Sequence, residues 1–296
     1  MCAPDVIESV RQRISRRTFL NSCGVAGAAA AASCSTETSS PTDTPTSSLP
    51  EKVEFRRVVD LTHTLHKNFP AWFVEGQEVT RSENRTFIAP SIVEVDPVFE
   101  WDSERINMNR VSYWEHVGTH MDAPLHFSEE GCSADEIPVE DLVLPLAVID
   151  IKSKAAEDPL ARMTLEDLHS WEAKHGEIPQ RALVAMNSGW AHYVETPKFK
   201  SLDQNGNRRQ PAMHIEAVEF LMKERNVIAL GVDTFSFDNQ HSPELDVHYN
   251  WLGDGRWGLE VLNNLDDVPA VGATIVVGQP KIQGSSGGPD RILALI

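Results

Sequence analysis

Residues 116–127, His-Val-Gly-Thr-His-Met-Asp-Ala-Pro-Leu-His-Phe, concentrate the side chains of this chain that can do chemistry. Three of its eleven histidines and the carboxylate of Asp122 fall between His116 and His126. Neutral imidazole and carboxylate are the nitrogen and oxygen ligands that zinc and manganese favour. Gly118 and the Ala123-Pro124 pair break any regular helix here, so the ligands must come from a strand end and a bent loop. His120 and Asp122, two apart, face one side of an extended segment and can reach one ion. His116 must then be turned back by a bend at Gly118, where glycine accepts backbone angles other residues resist. The expected centre is a metal site with up to four ligands, His126 among them, and room for a further group.

The elements that position these groups must come from residues 51–296, which show no second linker and no internal repeat. Segments 53–61, 144–151, 181–186, 227–232 and 270–277 read as strands. Helices are expected at 164–174, where Thr164 and Asp167 have the spacing of a capping box, and at 215–224. This alternation predicts an α/β class. Residues 75–110 lack clean periodicity and are expected to form a long excursion over the site.

Charge and cysteines narrow the partners. The net charge is −18. The first 50 residues balance four arginines (Arg11, Arg13, Arg16, Arg17) against four acids (Asp5, Glu8, Glu37, Asp43), so the whole excess belongs to the body. An acidic body argues against nucleic acid or an anionic membrane surface as partner, since both require a basic footprint. Three of the four cysteines, Cys2, Cys23 and Cys34, lie in the first 34 residues, which leaves Cys132 alone in the body and rules out a disulfide framework there.

Residues 1–34 read as an export signal. Ser-Arg-Arg-Thr-Phe-Leu at 15–20 resembles the twin-arginine pattern, and the apolar stretch 23–32 that follows is too short for a stable membrane anchor. Ala31-Ala32-Ser33-Cys34 resembles a lipoprotein cleavage box with alanine in place of the usual leucine, which makes Cys34 a candidate for lipidation. Residues 35–50, rich in Ser, Thr and Pro, read as a flexible tether. The expected location is periplasmic, free or lipid-anchored, and any membrane contact would run through that anchor.

Beyond composition and spacing, residues 116–127 match the pattern H-x-G-T-H-x-D-x-P-x-H-F of the bacterial kynurenine formamidase group within the metal-dependent cyclase family. The resemblance extends to Asp60-Leu61-Thr62, Pro70-Ala71-Trp72, Gly231-Val232-Asp233-Thr234, Asp246-Val247-His248 with Gly258-Leu259-Glu260, and Gly287-Gly288-Pro289-Asp290-Arg291. It implies a single domain of the swivelling β/β/α type, assembled as a homodimer or larger. It also implies a centre of one or two divalent ions, zinc or manganese. His116, His120 and Asp122 would hold one ion. Asp122 would reach a second, bound by His248 and completed by Glu260. His126 would move protons rather than bind metal, Trp72 would stack on an aromatic substrate, and Asp233 would contribute to substrate binding. The implied activity is hydrolysis of a non-peptide C–N bond in a small aromatic amide or lactam. N-formylkynurenine is the alternative substrate. A lyase using the same metals and a non-catalytic periplasmic metal-binding protein are the competing functions. Phe73-Val74-Glu75 stands where that family has Pro-Gly-Asp, so the substrate is the least constrained part of the resemblance.

Overall fold

Apolar, β-branched runs form the sheet, and the residues between them decide where each strand begins. The computed structural model describes residues 54–73, 75–80, 86–200, 202–203 and 208–296. The twin-arginine segment, the tether and Cys34 lie outside the described residues.

The described strands are β1 (Val58–Asp60), β2 (Glu78–Thr80), β3 (Thr86–Ile88), β4 (Val93–Phe99), β5 (Met108–Tyr113), β6 (His120–Asp122), β7 (Val143–Asp150), β8 (Arg162–Met163), β9 (Leu183–Asn187), β10 (Ala212–Met213), β11 (Ala229–Val232), β12 (Trp257–Glu260), β13 (Ala273–Gly278), β14 (Gly287–Pro289) and β15 (Arg291–Leu295). Nine of them make one mixed sheet in the order β1-β15-β13-β7-β9-β11-β12-β6-β14. Its centre, β7-β9-β11-β12, is parallel. The flanking pairs are antiparallel. Every residue of β6, β9, β11 and β12 is buried, as expected of strands covered on both faces.

Alternation along the strands divides the core in two. Leu146 and Val148 of β7 join Leu183, Ala185, Ala229 and Leu259 on one face. Ala147 and Ile149 join Val184, Met186, Leu230 and Val232 on the other. The second face is covered by the helices Leu165–His175, Ile215–Lys223 and Asp246–Gly253 through Leu168, Trp171, Val218, Leu221, Val247 and Trp251. Two of these helices are the expected ones, and the Thr164–Asp167 capping box forms. The α/β class stands, in a single mixed sheet with helices packed on it.

Strand starts differ from the sequence expectation for a local reason. Arg181, Asn226 and Gly272 sit at φ of +57°, +47° and +97°. Those turns delay β9, β11 and β13 to Leu183, Ala229 and Ala273. Segment 75–110 departs further: its described part forms two antiparallel hairpins, β2–β3 and β4–β5, with an irregularity between Pro97 and Phe99. Most of its strand residues are exposed, so no buried face imposes the alternation that would have revealed strands. The excursion does reach the site, bringing Pro90, Ser91 and Glu94 to its cavity.

Candidate metal centre

β6 carries His120 and Asp122, and its pairing with β12 sets Glu260 opposite His120. On its other edge β14 sets Gly287 opposite Asp122. A Cβ at Gly287 would lie 2.7 Å from His116 Cε1 and run into the Met121 carbonyl, so only glycine lets β14 close against the histidine. Gly118 takes φ +65°, the bend expected to return His116 toward the strand. His248 comes from the helix Asp246–Gly253 and points into the same cluster.

Each imidazole is tethered by one nitrogen and turns the other toward the acids of the cluster. His120 Nδ1 is 2.8 Å from the Gly118 carbonyl, to which it donates, so in the neutral ring Nε2 carries the lone pair. That Nε2 is buried without a hydrogen-bond partner and sits 3.4 Å from Asp122 and 3.5 Å from Glu260. His248 Nδ1 is held at 2.6 Å by Asp238, which leaves Nε2 facing Glu260 Oε1 at 3.2 Å and Asp122 Oδ2 at 3.7 Å. The Ser286 hydroxyl donates to Glu115 and so accepts from His116 Nε2 at 2.9 Å. This turns the His116 Nδ1 lone pair toward Asp122 Oδ1, 2.7 Å away. Lone pairs aimed at carboxylates repel unless a cation or a proton lies between them, and outer partners that fix the tautomer are the usual support of histidine ligands.

The donor atoms form two sets, His116–His120–Asp122 and Asp122–His248–Glu260, each within 4.8 Å. Asp122 is common to both, and its Oδ2 is also buried without a hydrogen-bond partner. The residues present therefore fit a pair of divalent ions, with nitrogen and oxygen donors acceptable to zinc or manganese.

In the metal-free protein, protons take the place of cations. Burial alone would lower the pKa of His120, but the neighbouring carboxylates of Asp122 and Glu260 raise it to about 9. For His248 burial again opposes, and Asp238, Glu260 and Asp122 raise it to about 10. Asp122 is buried yet held well below the usual carboxylate range by His116 and His120. Glu260 is pushed up by burial and by the Asp122 charge.

His126 belongs to neither donor set. Its ring stacks on His116 at 3.7 Å between centroids, 21° from parallel, and lines the cavity. Burial pushes its pKa down to about 4, well below the ordinary histidine value. The imidazole is thus neutral at pH 7 and begins as a proton acceptor. The cavity has a volume of about 670 Å³. Its walls include Phe73, Tyr113, Trp114 and Phe127, and the cluster sits within it.

Two expected substrate contacts change. Trp72 does line the cavity, but the Arg208 guanidinium lies 3.2 Å over its ring centroid, and Phe235 meets it edge-on at 4.7 Å. One ring face is therefore taken by a cation rather than left open for an aromatic substrate. Asp233 is absent from the cavity lining. It is buried, and its carboxylate accepts from the Ser188 amide and hydroxyl and the Trp190 amide. It directly follows β11 and ties down the turn after β9, through hydrogen bonds that use up its acceptors.

Asp238, Ser286, Glu115 and Arg208 were not legible in the sequence. Asp238 precedes His248 by ten residues in a loop without periodicity, and Ser286 reaches His116 across 170 residues. Only the fold makes these neighbours.

Comparison with known proteins agrees with this geometry. Residues 59–239 match the profile of the Cyclase family. The isatin hydrolase of Roseibium aggregatum is 31% identical over 216 residues, covering 69% of this chain and 81% of that protein. The kynurenine formamidase of Paracidovorax citrulli is 29% identical over 188 residues, covering 63% and 78%. Among solved structures, isatin hydrolase A from Ralstonia solanacearum superimposes with a TM-score of 0.73 at 34% identity, over 81% of this chain and 92% of that one. Isatin hydrolase A from Labrenzia aggregata, bound to benzyl benzoate, gives 0.72 at 33%, over 81% and 93%. By its profile match, its relatives and its ligand cluster, the chain belongs to the Cyclase family and is a metal-dependent amidohydrolase.

Proposed function

We propose that this protein hydrolyses the C–N bond of a small aromatic cyclic amide, with an aryl formamide as the next candidate. One observation carries the reading: two donor sets share the buried Asp122 inside a cavity of about 670 Å³ walled by aromatic rings. The cyclic amide is placed first because the isatin hydrolases are the more similar relatives. Of the ligand sets, His116, His120 and Asp122 would hold one ion, and Asp122, His248 and Glu260 the other. Divalent ions held there would supply an acidified water and polarisation of the acyl oxygen.

The remaining work falls to the chain's own side chains. Phe73, Trp114 and Phe127 hold the aromatic body of the substrate and exclude bulk water. His126, neutral at pH 7, accepts a proton from the attacking water as the C–O bond forms. It returns that proton to the nitrogen as the C–N bond breaks. Ser286 and Asp238 keep His116 and His248 in the tautomers that leave their free nitrogens toward the acids.

The test is a hydrolysis assay of the manganese- or zinc-loaded full chain with isatin, formanilide and a neutral lactam. Isatin opening at a kcat/KM on the order of 10⁴ M⁻¹s⁻¹ or better is expected, within the ordinary enzymatic range. Turnover of formanilide alone would move the assignment to aryl formamides, and turnover of none would reject it.

We further propose that the protein is exported through the twin-arginine route, on the strength of Arg16-Arg17 and the small-residue stretch after them. It would be periplasmic, or anchored there through Cys34. Changing Arg16 and Arg17 to lysine should trap the protein in the cytoplasm on cell fractionation, and unimpaired export would remove this reading. Pairing into homodimers is supported by the β4–β5 hairpin, where Val95 pairs with Val111 and both are exposed, as are Val98 and Met108.

A further inference from the structure

Among the described residues, Arg208 is the one arginine or lysine that lines the cavity of the metal cluster. Its guanidinium lies 3.2 Å over the Trp72 ring, and that ring is braced edge-on by Phe235. The stack fixes the plane of the guanidinium and leaves its N–H groups, which lie in that plane, to the cavity. Among the described residues no carboxylate forms an ion pair with it: Glu260 and Asp238 act on it only from a distance. Both acids are already committed, Glu260 to the ligand cluster and Asp238 to His248.

Such an arrangement is costly unless something completes it. Burial lowers the pKa of Arg208 to about 10, so it remains a cation at neutral pH at the expense of its hydration. Stacking on an indole returns part of that loss, but it does not satisfy the N–H groups. Three other half-buried arginines differ: Arg225 meets Glu172 with two nitrogens, Arg181 meets Asp141, and Arg256 meets Asp254. A guanidinium is the side chain best shaped to grip a carboxylate with two parallel hydrogen bonds.

We propose that Arg208 is the receptor for an anionic group on the substrate, so that the preferred substrates are aromatic amides carrying a carboxylate on the aromatic body. This rests on the amide-hydrolase reading above and deepens it. Trp72 then has an indirect part: it holds the guanidinium flat and aimed, where a direct stack on substrate had been expected.

The test uses a matched pair, N-formylanthranilate and formanilide, which differ by one carboxylate, together with the non-reacting probe benzoate. Wild-type enzyme should favour N-formylanthranilate in kcat/KM. In Arg208→Met the ratio between the two substrates should fall by about 10- to 100-fold, mostly through KM, as loss of a charge-assisted bidentate contact implies. Arg208→Lys should recover part of the ratio, since it keeps the charge without the fork. Benzoate binding, followed by tryptophan fluorescence of the full chain, should weaken at least about tenfold in Arg208→Met. An unchanged ratio, or an equal loss on both substrates, would assign Arg208 to holding Trp72 and overturn the proposal. If neither substrate is hydrolysed, the amide-hydrolase reading fails, but benzoate still decides: weaker binding in the variant supports the anion subsite, and unchanged binding rejects it.

Discussion

Replacing Asp122 with alanine is expected to empty both ion sites at once and to lower kcat/KM by about 10⁴-fold or more, since water activation and carbonyl polarisation are lost together. Asp122 alone belongs to both donor sets. It is 1% exposed, and it lies within 3.7 Å of His116, His120 and His248. Metal analysis of the purified variant is the direct measurement. One retained ion per chain would show that the second set can close without the shared acid, contrary to the geometry.

The same cluster makes ion binding depend on pH in a stated direction. In the metal-free protein His120 and His248 have pKa values raised to about 9 and about 10. Both therefore carry protons at pH 7, and ions must displace them. Affinity should rise from pH 6 toward pH 9, with protons released on binding and measurable by calorimetry in two buffers. The stability linkage has the opposite sense. A histidine whose pKa is raised on folding contributes stability that is complete below the unfolded value of about 6.5 and is lost as pH passes the folded value. Chelator-treated protein should accordingly lose thermal stability between neutral pH and pH 10. Metal-loaded protein should not follow it over that range.

His126→Ala is expected to lower kcat by about 10²- to 10⁴-fold, the usual contribution of a general acid–base group. Metal content should stay near that of wild type, because His126 lies outside both donor sets. If the variant instead loses an ion, His126 is a ligand and its stacking on His116 is a feature of the metal-free state. The pH profile gives a second readout. Burial holds the His126 pKa at about 4, so its base form persists far below neutrality. The acid limb of kcat/KM should thus follow metal release and should not show a step at the ordinary histidine value.

These outcomes bear on how much of the site could be read from residues alone. His116, His120, Asp122 and His126 lie within eleven positions, and their relation is local: a strand pleat for His120 and Asp122, and a glycine bend for His116. Strand and helix propensities likewise place β7, β9, β11 and β13 to within a few residues. His248 and Glu260 carry no local signal. Resemblance pointed to them, and the β6–β12 register together with one helix explains why they arrive. Two expected substrate contacts meet partners that no local pattern announces. Asp233 is an acid in a motif, but its acceptors are consumed by Ser188 and Trp190. Trp72 lines the pocket, but Arg208 covers one face of its ring. Neither partner is adjacent in the chain.

The sequence by itself determined that this protein sets a cluster of nitrogen and oxygen donors suited to a metal on an α/β scaffold, because donor type and short-range backbone geometry are properties of neighbouring residues. Only the tertiary structure decided that one carboxylate serves two donor sets, that the neutral His126 ring sits stacked beside them, and that Arg208, without a carboxylate partner among the described residues, faces the aromatic pocket. Those are relations across as many as 170 residues, and burial, strand register and the pairing of charges settle them only when the chain has closed.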